Sequence, residues 1–256
     1  MVTVTDPRQN RLKLWMYDLR QGTSMPFTFG DGDDQYPAWS PDSQQVAFTS
    51  SRGGKEEIYV KPVGGGSREQ LLLSMEGAAE ADRWSSDGRY LLFDYFGSQA
   101  TGGDVWAVPL FGDRKPFPVA QSPATEIWGT FSADGKWVAF QSDESGRGEI
   151  YVVPFPGLGG KWQISTGGGL ITSWPPGKEL FYITPDGRVI GTEFALQGSN
   201  FVVGKSRELF SGHAFGNNSG SAISGDGKRW LFALPSDPIN ASPLILETNW
   251  TATLKH

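Results

Sequence analysis

The stretch that decides the fold is Tyr36–Leu73, which reads YPAWSPDSQQVAFTSSRGGKEEIYVKPVGGGSREQLLL. It contains four short segments with the alternation and residue types of β-strands, separated by turn-forming residues. These segments are Tyr36–Ser40, Gln45–Ser50, Glu57–Pro62 and Gln70–Leu73. Pro41 and Asp42 mark the first turn, because proline presets φ and aspartate bonds its own backbone. A sheet of four short strands has two faces to bury, so further sheets must stack on both of them.

Those further sheets are encoded as copies of the same module. The residue that ends the first strand of each copy, here called the anchor, recurs every 43 to 49 residues, as Trp39, Trp84, Phe131, Trp174 and Ile223. Such a period is typical of four-stranded propeller blades. The turn and second strand recur as SSDGRYLLF, SADGKWVAF and SGDGKRWLF. We therefore predict an all-β protein, a β-propeller of four-stranded antiparallel blades; a β-sandwich with accidental self-similarity is the alternative.

The repeats define the predicted organisation of the chain. We place a partial blade at 1–29 and repeats at 36–73, 81–119, 128–165, 171–210 and 220–250. Residues 1–256 are thus predicted to form one propeller domain, which is either a fragment of a longer protein or a propeller with a truncated start. Five full or nearly full repeats and one partial repeat favour six blades over five. Incomplete blades expose strand edges, so we also expect edge-driven self-association.

Composition excludes several classes of protein. The 256 residues include 34 Gly and 17 Pro, which suits many short strands and tight turns. The net charge is −6 and no basic cluster occurs, which argues against nucleic-acid binding. There is no cysteine for disulfides or thiolate metal sites. No apolar run approaches the roughly 20 residues of a membrane span, and the N-terminus lacks the pattern of a signal peptide.

Several motifs resemble TolB-type β-propeller repeats over nearly the whole chain, namely YPAWSPDS, RWSSDGRYLLF and FSADGKWVAF. The stretches at 142–169, 178–189 and 249–255 are similar to the C-terminal extracytoplasmic propeller of bacterial membrane-bound serine/threonine kinases. This resemblance implies a sensor or scaffold domain in an extracytoplasmic or periplasmic location. The chain itself contains no glycine-rich kinase loop and no His-Arg-Asp triplet.

A candidate ligand site follows from the register of the repeats. Counting back four or five residues from the anchors reaches Asp34, Glu80, Glu126 and Asn218, with His213 in a nearby glycine-rich loop. In a propeller these positions surround one mouth of the central channel. Oxygen ligands from several loops are what Ca²⁺ prefers, so Asp34, Glu80, Glu126 and Asn218 form a candidate Ca²⁺ site. The competing interpretation is a set of solvated loop carboxylates.

These observations favour a non-catalytic module that binds a small ligand or an envelope protein at the channel mouth. The alternative is a hydrolase of esters, phosphoesters or glycosides that uses the channel carboxylates with a divalent cation. Its candidate catalytic residues are His213 and Glu126. No G-x-S-x-G elbow is present, so the sequence leaves enzymatic activity open and favours binding.

The repeat also predicts two structural sets. Second-strand aromatic residues should be buried between blades: Phe48, Phe93, Phe140, Tyr182 and Phe232. Turn aspartates should accept backbone N–H bonds within their own turns: Asp42, Asp87, Asp134 and Asp226.

Overall fold

A computed structural model describes the chain except at residues 7–9, 65–67, 98–101, 158, 178, 198–199, 212–220, 225–228, 233–244 and 249–256. The described residues form β-strands, turns and bends. They contain no helix that is long and apolar enough to cross a membrane. They fall into two compact units, Met1–Gly129 and Thr130–His256.

The first unit begins with three antiparallel sheets. The N-terminal sheet has the order β1-β2-β3, with β1 at Val2–Asp6, β2 at Arg11–Asp18 and β3 at Thr23–Pro26. The second contains β4 (Asp34–Trp39), β5 (Gln45–Ser50), β6 (Glu57–Pro62) and β7 (Gln70–Leu73) in that order. The third contains β8 (Ala78–Trp84), β9 (Tyr90–Phe96), β10 (Asp104–Pro109) and β11 (Phe117–Ala120), also in order.

Three more sheets follow. The fourth runs β12 (Glu126–Phe131), β13 (Trp137–Ser142), β14 (Glu149–Pro154) and β15 (Trp162–Gln163). The fifth runs β16 (Leu170–Ser173), β17 (Glu179–Ile183), β18 (Arg188–Gln197) and β19 (Asn200–Ser211). The sixth runs β20 (Ser221–Ile223), β21 (Arg229–Phe232) and β22 (Ile245–Thr248). The described residues thus form six sheets, four of four strands and two of three, which is the number that the repeats favoured.

Successive sheets within a unit are joined by a backbone hydrogen bond at one repeated point. In the second, third and fourth sheets, the carbonyl oxygen of the residue before the third strand accepts a hydrogen bond from an N–H at the start of the next sheet. The donor–acceptor pairs are Ala79–Glu56 at 3.1 Å, Glu126–Gly103 at 2.8 Å and Gly169–Gly148 at 3.0 Å. Each donor lies five residues before its anchor, so this bond fixes where the first strand of the next sheet begins.

The second-strand aromatic residues form the core as predicted. Phe48, Phe93 and Phe140 have no exposed surface, and Tyr182 is 6% exposed. The prediction is confirmed for these four side chains. The side chain of Phe232 is not among those that the structure describes. A third-strand ring lies beside three of them in register, with centroid separations of 6.2 to 6.4 Å: Phe48–Tyr59, Phe93–Trp106 and Phe140–Tyr151.

The turn after each first strand is built by a serine as well as by the predicted aspartate. Asp134 Oδ1 accepts the Lys136 N–H at 3.1 Å and the Ser132 hydroxyl at 2.6 Å. The same Ser132 oxygen accepts the Trp137 N–H at 3.1 Å, where β13 begins. Asp42 and Asp87 make equivalent contacts. The prediction is therefore confirmed for these three aspartates, and Asp226 lies outside the described residues.

The β18–β19 hairpin is longer than the strand beside it. Strand β17 pairs with β18 only from Glu193 back to Val189, so the far end of the hairpin continues as a two-stranded ribbon. Phe201 on this ribbon is 3% exposed. Its ring centroid lies 5.3 Å from that of Trp137 and 6.0 Å from that of Trp174. The ribbon therefore covers apolar side chains of the fourth and fifth sheets.

Candidate functional site

Asp34 is the first predicted site residue, and the structure buries it completely. Its Oδ2 accepts a hydrogen bond from Lys13 Nζ at 3.0 Å, and its Oδ1 accepts one from Arg52 Nη2 at 2.8 Å. Lys13 is 3% exposed and also donates to the carbonyl oxygen of Gly32 at 2.7 Å. Both Asp34 oxygens are therefore engaged by cations of the protein, and this geometry gives Asp34 a structural role between β2 and β4.

The ion pairs continue outward from Arg52. Its Nη1 lies 3.6 Å from Glu69 Oε2, and the other Glu69 oxygen accepts a hydrogen bond from Lys61 Nζ at 2.9 Å. The Arg52 guanidinium also lies 4.8 Å from the centroid of the Tyr59 ring, within cation–π range. Alternating charges thus neutralise one another along this chain of contacts.

Glu126 is also buried, at 1% exposure. Its Oε1 accepts a hydrogen bond from the Ser122 hydroxyl, and its Oε2 accepts one from the Ser122 backbone N–H at 3.1 Å. Its own N–H makes the repeated bond to Gly103 described above. Glu126 therefore holds the 122–126 turn at the start of β12.

Glu80 is different because it is half-buried and lies among other acids. Its carboxyl group is hydrogen-bonded to that of Glu56, whose Oε1 also accepts Gln35 Nε2 at 3.2 Å. Burial, and then the charges of Glu56 and Asp82, raise the pKa of Glu80 to about 7. A carboxyl group with such a pKa can gain or lose a proton near neutrality, which is unusual for glutamate.

Asp82 and Asp94 form a hydrogen-bonded carboxyl pair next to Glu80. Burial, followed by the charge of Asp82, raises the pKa of Asp94 well above its usual range. Burial also raises the pKa of Asp82, to about 6, against the lowering effect of the bond to Asp94 and of the Gly129 N–H. The two carboxyl groups therefore share one proton near neutral pH, as expected where two like charges occupy one site.

Two residues with exposed aromatic side chains adjoin this acidic group, Tyr36 through its phenol and Trp128 through its backbone. Tyr36 and Trp128 have 43% and 41% of their surface accessible. Burial of the phenol, and then nearby carboxylates of which Glu80 and Glu56 contribute most, raise the pKa of Tyr36 to about 12. The Trp128 N–H lies 3.0 Å from each carboxyl oxygen of Asp94. We call Tyr36, Glu56, Glu80, Asp82 and Trp128 the acidic–aromatic site.

No protein-family model matches the chain. Among curated proteins it is 34% identical over 80 residues to the uncharacterized peptidase YuxL of Bacillus subtilis, and 30% identical over 114 residues to tricorn protease homolog 1 of Streptomyces coelicolor. It is 26% identical over 148 residues to the Tol-Pal system protein TolB of Bordetella pertussis. These matches cover 31%, 44% and 53% of this chain and 12%, 10% and 33% of the respective relatives.

Among solved structures, TolB from Acinetobacter baumannii superposes over 95% of this chain and 59% of its own, with a TM-score of 0.69 and 18% sequence identity. The chain has a TolB-like β-propeller fold. The tricorn protease superposes over 88% of this chain and 26% of its own, with a TM-score of 0.54 and 14% identity. At these identities the likeness establishes the fold, so the predicted β-propeller is confirmed.

On this TolB-like fold, only one of the predicted ligands that the structure describes lies in the acidic–aromatic site. Glu80 is there, whereas Asp34 and Glu126 lie buried with separate partners. Asn218 and His213 are outside the described residues. In the described part of the chain, no three acidic or histidine side chains are arranged to hold a metal ion. The Ca²⁺ site therefore stays a prediction.

The sequence contained signals for the members that were missed. Asp94 interrupts the apolar second strand LLFDYF, and a carboxylate in a buried strand is rare unless it is paired. Tyr36 and Trp128 both lie three residues before an anchor, so aligning the repeats one residue further along would have shown that they share a repeat position.

Proposed function

We propose that this chain is a non-catalytic binding propeller, and that the acidic–aromatic site receives a cationic group of a ligand or protein partner. The observation that supports this function is that two residues with exposed aromatic rings adjoin clustered carboxyl groups, Tyr36 through its phenol and Trp128 through its backbone N–H. Carboxylates attract a cation by charge, and an aromatic face adds about 0.5–2 kcal/mol of cation–π attraction.

The protonation of the site fits a role in binding. Glu80, with a pKa of about 7, loses its proton readily once a positive charge approaches. The cation then gains a full negative partner without the cost of holding several charges together in the empty site. An arginine or lysine side chain of an envelope protein, or a small organic amine, has the required chemistry.

The resemblance to TolB-type propellers supports the location and partner in this proposal. We propose an extracytoplasmic or periplasmic protein that docks an envelope partner, acting as a sensor or scaffold domain. The resemblance to the propellers of membrane-bound kinases supports the sensor role.

The test uses a charged probe and its neutral isostere. Nα-acetyl-arginine amide is titrated into the ¹⁵N-labelled protein, with Nα-acetyl-citrulline amide as the control, and shifts of the Trp128 and Gly129 amide signals are followed. We expect saturable shifts with arginine alone, weakened at least fivefold by Glu80→Gln. Glu179→Gln serves as the matched variant, since Glu179 pairs with Arg207 on β19. Equal responses to arginine and citrulline would exclude recognition by charge.

A hydrolase remains the second candidate, and the Asp82–Asp94 pair is the observation that favours it. A carboxylic acid beside its conjugate base can supply general acid and general base catalysis. The similarity to peptidases over part of the chain points the same way. Chromogenic ester, phosphoester and glycoside substrates should be tested with and without Ca²⁺. The binding proposal expects no turnover, and turnover abolished by Asp82→Asn would establish the hydrolase instead.

A further inference from the structure

Tyr36 and Trp128 share an unusual backbone conformation. Their φ angles are +52° and +60°, in the left-handed region that glycine favours. Both stand three residues before the anchor of their repeat, and both rings are exposed. Bulky side chains rarely occupy this region, and such outliers persist only where surrounding contacts enforce them. Whatever holds Trp128 in this conformation also determines where its indole projects.

The contacts that hold Trp128 come from the carboxyl pair behind it. Both oxygens of Asp94 lie 3.0 Å from the Trp128 N–H. Asp82 Oδ2 accepts the next N–H, that of Gly129, at 3.1 Å. A side chain could not replace the hydrogen of Gly129, because a Cβ there would come within 2.7 Å of Val105 Cγ1. The Trp128–Gly129 backbone is therefore fixed by hydrogen bonds on one side and by packing on the other.

The preceding pair of sheets provides an internal comparison. Thr49 occupies the repeat position of Asp94, and its hydroxyl oxygen accepts the Ala81 N–H at 2.9 Å. Ala81 occupies the repeat position of Trp128 but has no positive φ, and it is buried. A neutral oxygen is thus sufficient to join two sheets at this point. Asp94 replaces the threonine where the residue that donates the N–H from the following sheet is Trp128, which is exposed and in the left-handed conformation.

We propose that Asp94 is a positioning residue, which holds the Trp128 backbone so that the exposed indole stands out as a platform for the ligand. This inference rests on the proposed function, because it assigns the exposed rings to ligand contact. Asp94 does not itself touch the ligand, since it is 1% exposed and acts through the Trp128 N–H.

The repeat supplies the matched variants for the test. Asp94→Thr introduces the residue type of Thr49, whose hydroxyl accepts the equivalent N–H in the preceding pair of sheets. Asp94→Val has the same shape as the threonine variant but lacks the oxygen. The readouts are hydrogen exchange of the Trp128 amide and the indole ¹⁵N signal of Trp128, assigned with Trp128→Phe. We expect Asp94→Val to speed exchange of this amide at least tenfold and to move the indole signal. Asp94→Thr should restore both.

The outcomes separate the positioning role from the binding function. An unchanged indole signal and an unchanged amide in Asp94→Val would overturn the positioning role. If the valine variant does not fold, rapid exchange of the Trp128 amide in the wild-type protein would overturn it as well. Nα-acetyl-arginine amide then tests the second step, with at least fivefold weaker binding expected in Asp94→Val. If the variants move the indole as expected but the wild type does not bind the probe, Asp94 positions Trp128 and the proposed function fails.

Discussion

Replacing Asp34 with asparagine should destabilise the protein strongly. The change keeps the shape of the side chain but removes the negative charge that faces Lys13 at 3.0 Å and Arg52 at 2.8 Å. Lys13 is 3% exposed, so its ammonium group would remain buried with only neutral oxygens, such as the carbonyl of Gly32, to accept its hydrogen bonds. Uncompensated buried charge is among the few causes of a large mutational effect.

The expected size follows from the burial of the pair. Breaking a buried ion pair by removal of one partner costs about 3–5 kcal/mol, whereas exposed pairs contribute about 0–1 kcal/mol. For a protein of this length, such a loss lowers the midpoint of thermal unfolding by roughly 10 °C. Replacing both charges, as in Lys13→Met with Asp34→Leu, should recover most of the loss, because no buried charge is left without a partner.

The assay is thermal and urea unfolding of the wild type, Asp34→Asn, the double variant and Glu179→Gln. The last removes an exposed pair and should change the free energy of unfolding by less than about 1 kcal/mol. A value for Asp34→Asn within that same range would refute the reasoning. If chelator destabilised the wild type but not Asp34→Asn, Asp34 would be a cation ligand after all.

Four further measurements test other parts of the structure. Burial raises the pKa of Glu80 from 4.5 to about 7, so the folded state holds this proton more tightly and stability falls as the pH rises through that window. Urea unfolding measures this at pH 5 and pH 8. At pH 8 the free energy of unfolding of Glu80→Gln should exceed the value expected from the wild-type loss by about 1–2 kcal/mol after allowance for solvent screening, and at pH 5 the variant should show no such gain. Ser43→Gly should raise stability by about 0.5–1 kcal/mol in a melting curve, because Ser43 has a φ of +59° where other repeats have glycine; a loss would contradict the turn geometry. Phe201→Ala should cost about 3–5 kcal/mol in urea unfolding, since its ring fills the aromatic cluster under the ribbon; a change below about 1 kcal/mol would show that the ribbon is not packed. For the Ca²⁺ prediction, a hundredfold excess of Ca²⁺ over its dissociation constant should add about 2.7 kcal/mol in the wild type and less in Glu126→Gln, and identical melting of both with Ca²⁺ and with chelator would reject it.

The fold was predictable because its signals are local and repeated. The Ser-x-Asp-Gly turn fixes its own geometry within six residues, from the Ser132 hydroxyl to the first N–H of β13. The buried second-strand rings then follow from period-two alternation, as Phe48, Phe93 and Phe140 show. Neither signal depends on which sheets are neighbours, so every copy of the repeat independently predicts the same turn and the same buried ring.

The candidate site was only partly predictable because it depends on the direction of single side chains. Adjacent residues of a strand point to opposite faces, and a bulge changes which face a residue meets. The prediction combined residues five and four positions before the anchors, which a strand cannot place on one face. First strands β4 and β8 also contain register shifts, between Gln35 and Ala38 and between Ala81 and Trp84. Glu80 therefore meets the site while Asp34 does not.

The position five residues before the anchor shows how the repeat accommodates acids in its interior. It is filled by Asp34, Ala79, Glu126 and Gly169, and all four are buried. The residue two positions before the aromatic residue of the facing strand in the preceding sheet is respectively Lys13, Glu57, Asp104 and Glu149. Where that residue is glutamate, the facing position is alanine or glycine, which adds no charge.

The two acids at this position are compensated in different ways. Asp34 meets a lysine at the place where the second, third and fourth sheets have an acid, so Lys13 and the carboxylate of Asp34 belong together. Glu126 lies in the sheet that follows Asp104, and its oxygens take hydrogen bonds from Ser122 while Asp104 takes one from Gln121. Each acid in this buried position is therefore hydrogen-bonded to donors of the protein itself, Asp34 to Lys13 and Arg52 and Glu126 to Ser122. These bonds neutralise or solvate the carboxylates without a bound cation. Another group of acids lies one to three residues further along the first strand and across it on β9, where Glu80 is hydrogen-bonded to Glu56, and Asp82 to Asp94, beside the phenol of Tyr36 and the Trp128 backbone.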